Sequence, residues 1–222
     1  MPKLIATFLV IGIFFSSGCL FKRLLEFKKQ METPEKYISF EQKGVLNFKK
    51  PVLQIEDLVL LTGIEPTDVK NHTESKTIAT YLFIRDENIT YSLDYQCIFI
   101  DGKLTTIDYP DQFFNQVSSG FAFSTLKSFG DTELTDTKSW KLKARKFIKN
   151  IFIPSKKLVE KLVGPPTTTQ SFPLTDYYTY IYRHPTERSS QTISISYEFS
   201  KKNQRITTIF IQFPDRNWQI DI

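Results

Sequence analysis

The residues able to perform acid–base or metal chemistry are few and lie far apart in the sequence. The two histidines are His72, in a polar stretch, and His184, before a proline, and neither belongs to a nucleophile or metal-binding motif. We interpret both as surface histidines in polar loops. Carboxylates come close together at Asp108 and Asp111 and at 86–87, and two carboxylates suffice for glycoside hydrolysis. Here they flank predicted turns, where Asp and Glu are common for backbone reasons. We therefore predict a protein that is not an enzyme and binds no metal ion or cofactor, with an unrecognised hydrolase as an alternative.

Covalent chemistry of another kind is indicated at Cys19. One positive charge, Lys3, precedes an apolar run over residues 4–15 that is interrupted only by Thr7, and the small residues 16–18 lead to Cys19. A charged start, a short apolar core and a small-residue ending are typical of an export signal. The run is too short to span a bilayer core comfortably, because a spanning helix needs about 20 apolar residues. We expect a removed signal and not a membrane helix.

This pattern resembles a bacterial lipoprotein signal, in which cleavage follows Gly18 and the thiol of Cys19 receives the lipid. An uncleaved anchor and an ordinary cleaved signal are the alternatives. By the same analogy, Leu20 stands where an Asp would favour retention in the inner membrane, which implies an outer-membrane location facing the periplasm. With Cys19 acylated, Cys97 has no partner in the chain. Since Cys97 lies in a strand-like run, we interpret it as a small buried hydrophobic residue.

The composition indicates a globular protein rich in strands. Twenty Phe and ten Tyr stand beside eight Gly, and aromatic residues pack well on the pleated face of a sheet. The formal net charge of +5 is modest, and an exported chain is directed away from nucleic acid. We predict an α+β fold with more sheet than helix, and no nucleic-acid partner.

Five segments are predicted along the chain. Residues 1–18 form the signal peptide, and residues 19–54 carry the lipidated cysteine and a basic tether. Residues 55–110 form a first α+β repeat, residues 111–154 an aromatic and basic connecting segment, and residues 155–222 a second α+β repeat.

The two repeats are predicted from matched stretches of sequence. Residues 91–108 align without a gap with residues 193–210, and residues 80–83 match residues 179–182. The matches keep the same order in both copies, which is the signature of an internal duplication. Each copy is predicted to be a short helix packed on a three-stranded antiparallel sheet, and the Asp-Gly pair at 101–102 is typical of a tight hairpin turn.

The helix of the second copy has the clearest boundaries. Ser155 stands at the N-cap position, and Leu158, Leu162 and Val163 share one face at helical spacing. Gly164 can take the left-handed conformation that ends a helix, and two prolines follow. A helix of about two turns is marginal alone, so we expect it to lie on a sheet.

A lipidated cysteine followed by repeats of a helix, a Gly-Pro stop and three antiparallel strands resembles the BamE (SmpA) type of outer-membrane lipoprotein. Tandem copies resemble the β-lactamase inhibitor protein architecture. The resemblance rests on residues 157–166, on Tyr180 and Tyr182, and on the strand over residues 197–199. It implies a non-catalytic, lipid-anchored periplasmic protein that binds other envelope proteins in assembly or maintenance. The alternative is an enzyme inhibitor or scavenger that binds its target through the sheet face.

Two groups of side chains are candidates for contact with partners. Aromatic side chains are frequent sources of binding energy, so a row of tyrosines is either a protein-binding surface or part of the core. This tyrosine row consists of Tyr177, Tyr180, Tyr182 and Tyr197. A basic patch is either a solvated edge or a contact with a membrane surface or an anionic partner. This basic patch consists of Lys141, Lys143, Arg145, Lys146 and Lys149.

The lipid attachment is tested by labelling with a fatty-acid analogue. We expect Cys19→Ala to abolish incorporation, because the thiol at that position is the acceptor. Cys97→Ala is the matched control, since it removes the other cysteine of the chain and should leave incorporation unchanged. Equal labelling of Cys19→Ala and the unmodified chain would show that Cys19 is not the attachment point.

Overall fold

The structure is a computed structural model that describes residues 21–41, 44–86, 88–109, 119–131, 139–143, 153–185 and 190–222. The predicted signal peptide, Gly18 and Cys19 lie outside the described residues. So do three members of the basic patch, Arg145, Lys146 and Lys149.

Helices are short in the described part of the chain. They are α1 over residues 21–31, α2 (Pro34–Tyr37), α3 (Ile55–Thr62), α4 (Ser119–Asp131) and α5 (Lys156–Val163). Ser155 caps α5 as predicted, because its Oγ accepts the backbone N–H of Leu158 at 3.3 Å. Gly164 ends the helix with a φ of +84°, a conformation that favours glycine.

The first sheet has six antiparallel strands in the order β1-β2-β6-β5-β4-β3. The strands are β1 (Ile38–Glu41), β2 (Val45–Phe48), β3 (Asp68–Asn71), β4 (Lys76–Phe83), β5 (Leu93–Ile100) and β6 (Lys103–Asp108). The predicted hairpin at 101–102 is confirmed, since Asp101 and Gly102 both have positive φ, at 49° and 73°, as a type I′ turn requires.

The second sheet also has six strands, in the order β7-β12-β11-β10-β9-β8. The strands are β7 (Ser139–Lys143), β8 (Thr168–Ser171), β9 (Thr175–Pro185), β10 (Ser190–Ser200), β11 (Ile206–Gln212) and β12 (Asn217–Asp221). All neighbours are antiparallel except β7 and β12, which pair in parallel.

The predicted sheet-rich α+β class is confirmed, whereas the three-stranded sheets are wrong. Strands β3 and β8 are exposed along their whole length, and Val69 is their one apolar residue, so no alternation of apolar and polar residues marks them in the sequence. The first sheet gains β1 and β2 from upstream of its predicted repeat, and the second gains β12 and β7. Each predicted meander of three strands is therefore the centre of a sheet twice as wide.

Both halves contain the same run of elements, a helix followed by a four-stranded antiparallel meander. The run is α3 with β3–β6 in the first half and α5 with β8–β11 in the second. Corresponding hydrogen bonds join the loop before each first strand to the next strand. The N–H of Thr67 donates to the carbonyl of Thr80 at 2.7 Å, and the N–H of Thr167 donates to the carbonyl of Thr179 at 2.9 Å. The duplication itself stays a prediction.

The predicted tether over residues 19–54 is wrong for the described residues of that segment. Leu24 and Met31 of α1, Ile38 of β1 and Leu46 of β2 are buried in the core. The helix was missed because several Lys and Arg surround its apolar residues. Leu24, Phe27 and Met31 nevertheless follow the three-to-four-residue spacing of a helix face.

An ion pair ties α1 to the start of α3. Arg23 donates from Nε to Oδ2 of Asp57 at 2.7 Å and from Nη2 to Oδ1 at 2.9 Å. Asp57 is fully buried and also accepts the backbone N–H of Gln54 at 2.8 Å. A carboxylate in the first turn of a helix interacts favourably with the helix dipole, so Asp57 stabilises α3 while it holds α1.

We expect Arg23→Ala to lower the free energy of unfolding by ~3–5 kcal/mol, because it leaves a buried carboxylate without its counter-ion. Lys50→Ala is the control, since it removes an exposed pair with Glu26 at 3.2 Å that is worth about 1 kcal/mol or less. Urea unfolding measures both. Equal small effects would mean that α1 is not docked on α3.

Candidate functional site

The two sheets meet where β4 ends against the end of β9. Ile84 and Arg183 form an antiparallel bridge, with both N–H···O distances at 2.8 Å. Outside it, Asp86 pairs with the guanidinium of Arg183 at 3.0 Å. Because this pair is exposed, the backbone bridge and the buried groups beside it hold the junction.

Arg85 follows the bridge and inserts into the second half. Its side chain is almost fully buried and donates to the carbonyl of Pro165 at 2.9 Å and to that of Val163 at 3.4 Å. Its guanidinium also lies over the rings of Tyr180 and Tyr182, at 5.2 and 5.7 Å from their centres. The last carbonyls of a helix have no partner within the helix, and Arg85 supplies donors to the end of α5.

His184 makes the reciprocal insertion into the first half. It is fully buried; its Nδ1 lies 2.8 Å from the carbonyl of Leu82, and its Nε2 lies 2.7 Å from that of Glu65, just beyond α3. A neutral imidazole can donate to only one of these carbonyls. The interpretation of His184 as a surface histidine in a polar loop is therefore wrong, whereas His72 is exposed as expected.

The helix-ending glycines lie at the same junction. Gly63 and Gly164 both have positive φ. A Cβ at Gly164 would collide with the ring of Tyr91 from the first half, and a Cβ at Gly63 would collide with Asp215 from the second. Each half thus places a side chain against the helix end of the other.

The tyrosine row is divided between the two faces of the second sheet. Tyr180 and Tyr182 are buried on the inner face, and Tyr197 shares that face because it lies opposite the buried Tyr178 in the strand register. Tyr177 lies on the outer face, since successive side chains of a strand alternate. An exposed row of four is wrong, and the alternative that these tyrosines belong to the core is confirmed for Tyr180 and Tyr182.

Between the sheets lies a cavity of about 500 Å³. Strand residues from both sheets line it, and the helices contribute Leu58 of α3, Leu126 of α4 and Val159 of α5. The lining includes Tyr81, Tyr95 and Cys97 of the first sheet, and Ile195, Tyr197 and Ile211 of the second. The alternating pattern predicted one buried face for each sheet, but it gave no sign that the two faces stand apart and enclose a space.

The cavity wall is apolar and uncharged. None of the described lining residues is an Asp, Glu, Lys, Arg or His. Burial raises the pKa of the phenols of Tyr81, Tyr95 and Tyr197 and raises the pKa of the Cys97 thiol to about 12. The wall therefore presents neutral hydroxyl and thiol groups at neutral pH. The hydroxyl of Tyr81 has no hydrogen-bond partner among the described residues.

The predicted basic patch is only partly described. Lys141 is exposed on β7 and lies 3.7 Å from Asp221 of β12, and Lys143 ends β7. Of the carboxylates considered for catalysis, Asp108 is exposed at the end of β6 and Asp111 lies outside the described residues. Glu87 also lies outside the described residues, and the described part of the chain contains neither predicted carboxylate pair in full.

No group of three or more metal-ligating side chains occurs in the described part of the chain. Among the same residues, no helix combines the length and the apolar composition needed to cross a bilayer. Comparison with protein-family models, with curated proteins and with solved structures finds no match for this chain. The site is therefore interpreted from its own geometry.

The burial of Cys97 predicts an inert thiol. In a chain carrying Cys19→Ser, we expect iodoacetamide at pH 8 to alkylate the native protein slower than the urea-unfolded protein by on the order of a thousandfold. The reason is that the thiolate is the reactive form, and its pKa is about 12 in the folded state against ~8.5 in the unfolded state. Similar rates in both states would contradict the buried position.

The same shift predicts an alkaline loss of stability. Because the pKa of the Cys97 thiol is raised on folding, the folded state binds the thiol proton more tightly than the unfolded state does. The protonated thiol therefore stabilises the folded protein fully below about pH 8.5, and this stabilisation is lost as the pH rises toward about 12. Cys97→Ala should flatten the first part of this decline in urea-unfolding measurements. The buried phenols act with the same sign at higher pH.

Proposed function

We propose that this protein is a lipid-anchored, non-catalytic protein of the outer membrane, facing the periplasm, whose folded part binds the acyl chain of an amphiphile between its two sheets. The cavity is the observation that carries the binding function. The apolar run over residues 4–15 and the small residues before Cys19 support the anchor and the location.

The size of the cavity favours a ligand. Small-molecule sites have volumes of roughly 300–1,000 Å³, and this cavity of about 500 Å³ falls within that range. Its apolar wall offers water few hydrogen-bond partners, so a bound apolar molecule accounts for this space better than water does.

The wall selects the chemistry of the ligand. Both sheets present mainly aliphatic and aromatic side chains, and no described lining residue carries a charge. The part of the ligand inside the cavity must therefore be uncharged and apolar, as an acyl chain is.

Contact with other envelope proteins is the second part of the proposal. On the outer face of the second sheet, the ring of Tyr177 stacks on Phe210 at 6.4 Å between centres, and Ile181 is partly exposed. These residues offer apolar contact area to a protein that delivers or receives the ligand. A scavenger or inhibitor that bound its target through the same face would need no cavity. Binding of an acyl chain therefore distinguishes the proposed function from that alternative.

Filling the cavity should abolish ligand binding without unfolding the protein. We expect Ile195→Trp, which adds an indole to the wall, to weaken the binding of a fluorescent long-chain fatty acid by at least about tenfold. Ile181→Trp is the matched control, because this isoleucine lies on the neighbouring strand with its side chain on the outer face. Circular dichroism checks the fold of both variants.

Chain length gives a second readout of the same site. Each added methylene should strengthen binding by ~0.8 kcal/mol until the cavity is full, so two carbons should change the affinity by about tenfold. Tyr81→Phe should stabilise the ligand-free protein slightly, since it removes a buried hydroxyl that has no partner among the described residues. An affinity that is independent of chain length and equal in both tryptophan variants would contradict an acyl-chain site.

A further inference from the structure

The hairpin between β8 and β9 ends in three exposed apolar residues, of which Phe172 also packs the edge of its ring against Tyr177, at 5.5 Å between ring centres. Phe172 and Leu174 are 50% and 80% exposed, and Pro173 between them is exposed as well. We call Phe172, Pro173 and Leu174 the apolar tip. Backbone hydrogen bonds fix it, because the N–H of Phe172 donates to the carbonyl of Thr175 at 2.8 Å and the N–H of Lys201 donates to that of Leu174 at 3.0 Å.

The corresponding hairpin of the first sheet shows that this geometry does not require apolar residues. There the N–H of His72 donates to the carbonyl of Lys76 at 2.8 Å, and the N–H of Asp101 donates to that of Ser75 at 2.8 Å. These bonds correspond to those of the apolar tip, although this turn is one residue longer and Oγ1 of Thr73 also accepts the N–H of Lys76 at 3.0 Å. Residues 72–75 are polar and exposed, so a turn at this place in the meander does not need apolar side chains.

Basic residues surround the apolar tip. The turn that holds Leu174 continues with Lys202 and Arg205, and the start of α5 adjoins it through the N–H of Lys156, which donates to the carbonyl of Gln204 at 2.8 Å. We call Lys156, Lys157, Lys201, Lys202 and Arg205 the basic collar. One carboxylate, Asp176, is paired within it, at 2.9 Å from Lys156 and 3.7 Å from Lys201. On the next turn of α5, Glu160 and Lys161 carry opposite charges.

We propose that the apolar tip and the basic collar form a membrane-docking surface whose partner is a bilayer containing anionic phospholipids. Exposed Phe and Leu side chains enter the boundary between headgroups and acyl chains. Lys and Arg beside them are attracted to anionic headgroups within a Debye length. Five cations against one carboxylate give the surface a charge complementary to such headgroups, which an apolar contact with a neutral protein would not need.

This docking is independent of the N-terminal lipid and of any ligand in the cavity, so both can be left out of the test. All described contacts lie within residues 21–222, and a chain of residues 19–222 carrying Cys19→Ser retains them. Flotation with vesicles of phosphatidylcholine, alone or mixed with phosphatidylglycerol, measures binding. We expect stronger binding to the mixed vesicles, and a loss of at least about tenfold in the partition coefficient for F172S/L174S.

Two further variants separate the contributions. K202E/R205E should remove the preference for anionic vesicles while the apolar tip is intact. Ile89→Ser is the control, because Ile89 is a comparably exposed isoleucine, at 76%, away from the basic collar, and it should leave binding within about twofold. Binding by F172S/L174S equal to that of the parent, or an equal loss with Ile89→Ser, would overturn the proposal. So would sedimentation showing that F172S/L174S converts a dimer to a monomer while vesicle binding is unchanged.

Discussion

The structure depends on the satisfaction of buried polar groups across the junction between its halves. Arg85 is buried and donates to carbonyls at the end of α5 in the opposite half, and His184 is buried with its ring nitrogens beside the carbonyls of Leu82 and Glu65 of the first half. Removing either side chain would leave carbonyls unpaired in a region of low dielectric constant, which costs more than the bond contributes. The two sheets are therefore fixed in one relative position, and neither half completes its polar contacts alone.

Such a junction leaves the apolar faces free to enclose a space. Polar contacts fix the two sheets to each other at one edge, beside the apolar faces that line the cavity. The buried faces form a wall of neutral side chains around a cavity of about 500 Å³. The docked helix α1 extends this arrangement toward the N-terminus, where Arg23 anchors it to Asp57. A lipid on Cys19 would then be attached two residues before a folded helix and not at the end of a long tether.

The sequence predicts the central strands well because their inner faces alternate cleanly with polar positions. The two predicted three-stranded sheets correspond to β4–β6 and to β9–β11. Strands β3 and β8 are not predicted because both faces of each edge strand are exposed to solvent, so apolar and polar residues do not alternate along them. Helix α1 is not predicted because its lysines indicate a solvated tether, although Leu24, Phe27 and Met31 have the spacing of a helix face. Arg85 and His184 give no local signal, since each is defined by carbonyls of the other half, about 80 and 119 residues away. Phe83 is matched with Tyr182, so Arg85 and His184, each two residues further along, occupy equivalent positions in the two copies. This match is the one feature of the sequence that relates the two side chains.

Native mass spectrometry of the protein purified from its own membrane, gently and without delipidation, tests the central claim most directly. The account predicts a folded species that carries one additional apolar molecule of lipid-like mass, beyond the covalent modification, and that loses it in Ile195→Trp but keeps it in Ile181→Trp. A bare folded species in every preparation, with long-chain fatty acids failing to bind when added back, would contradict it.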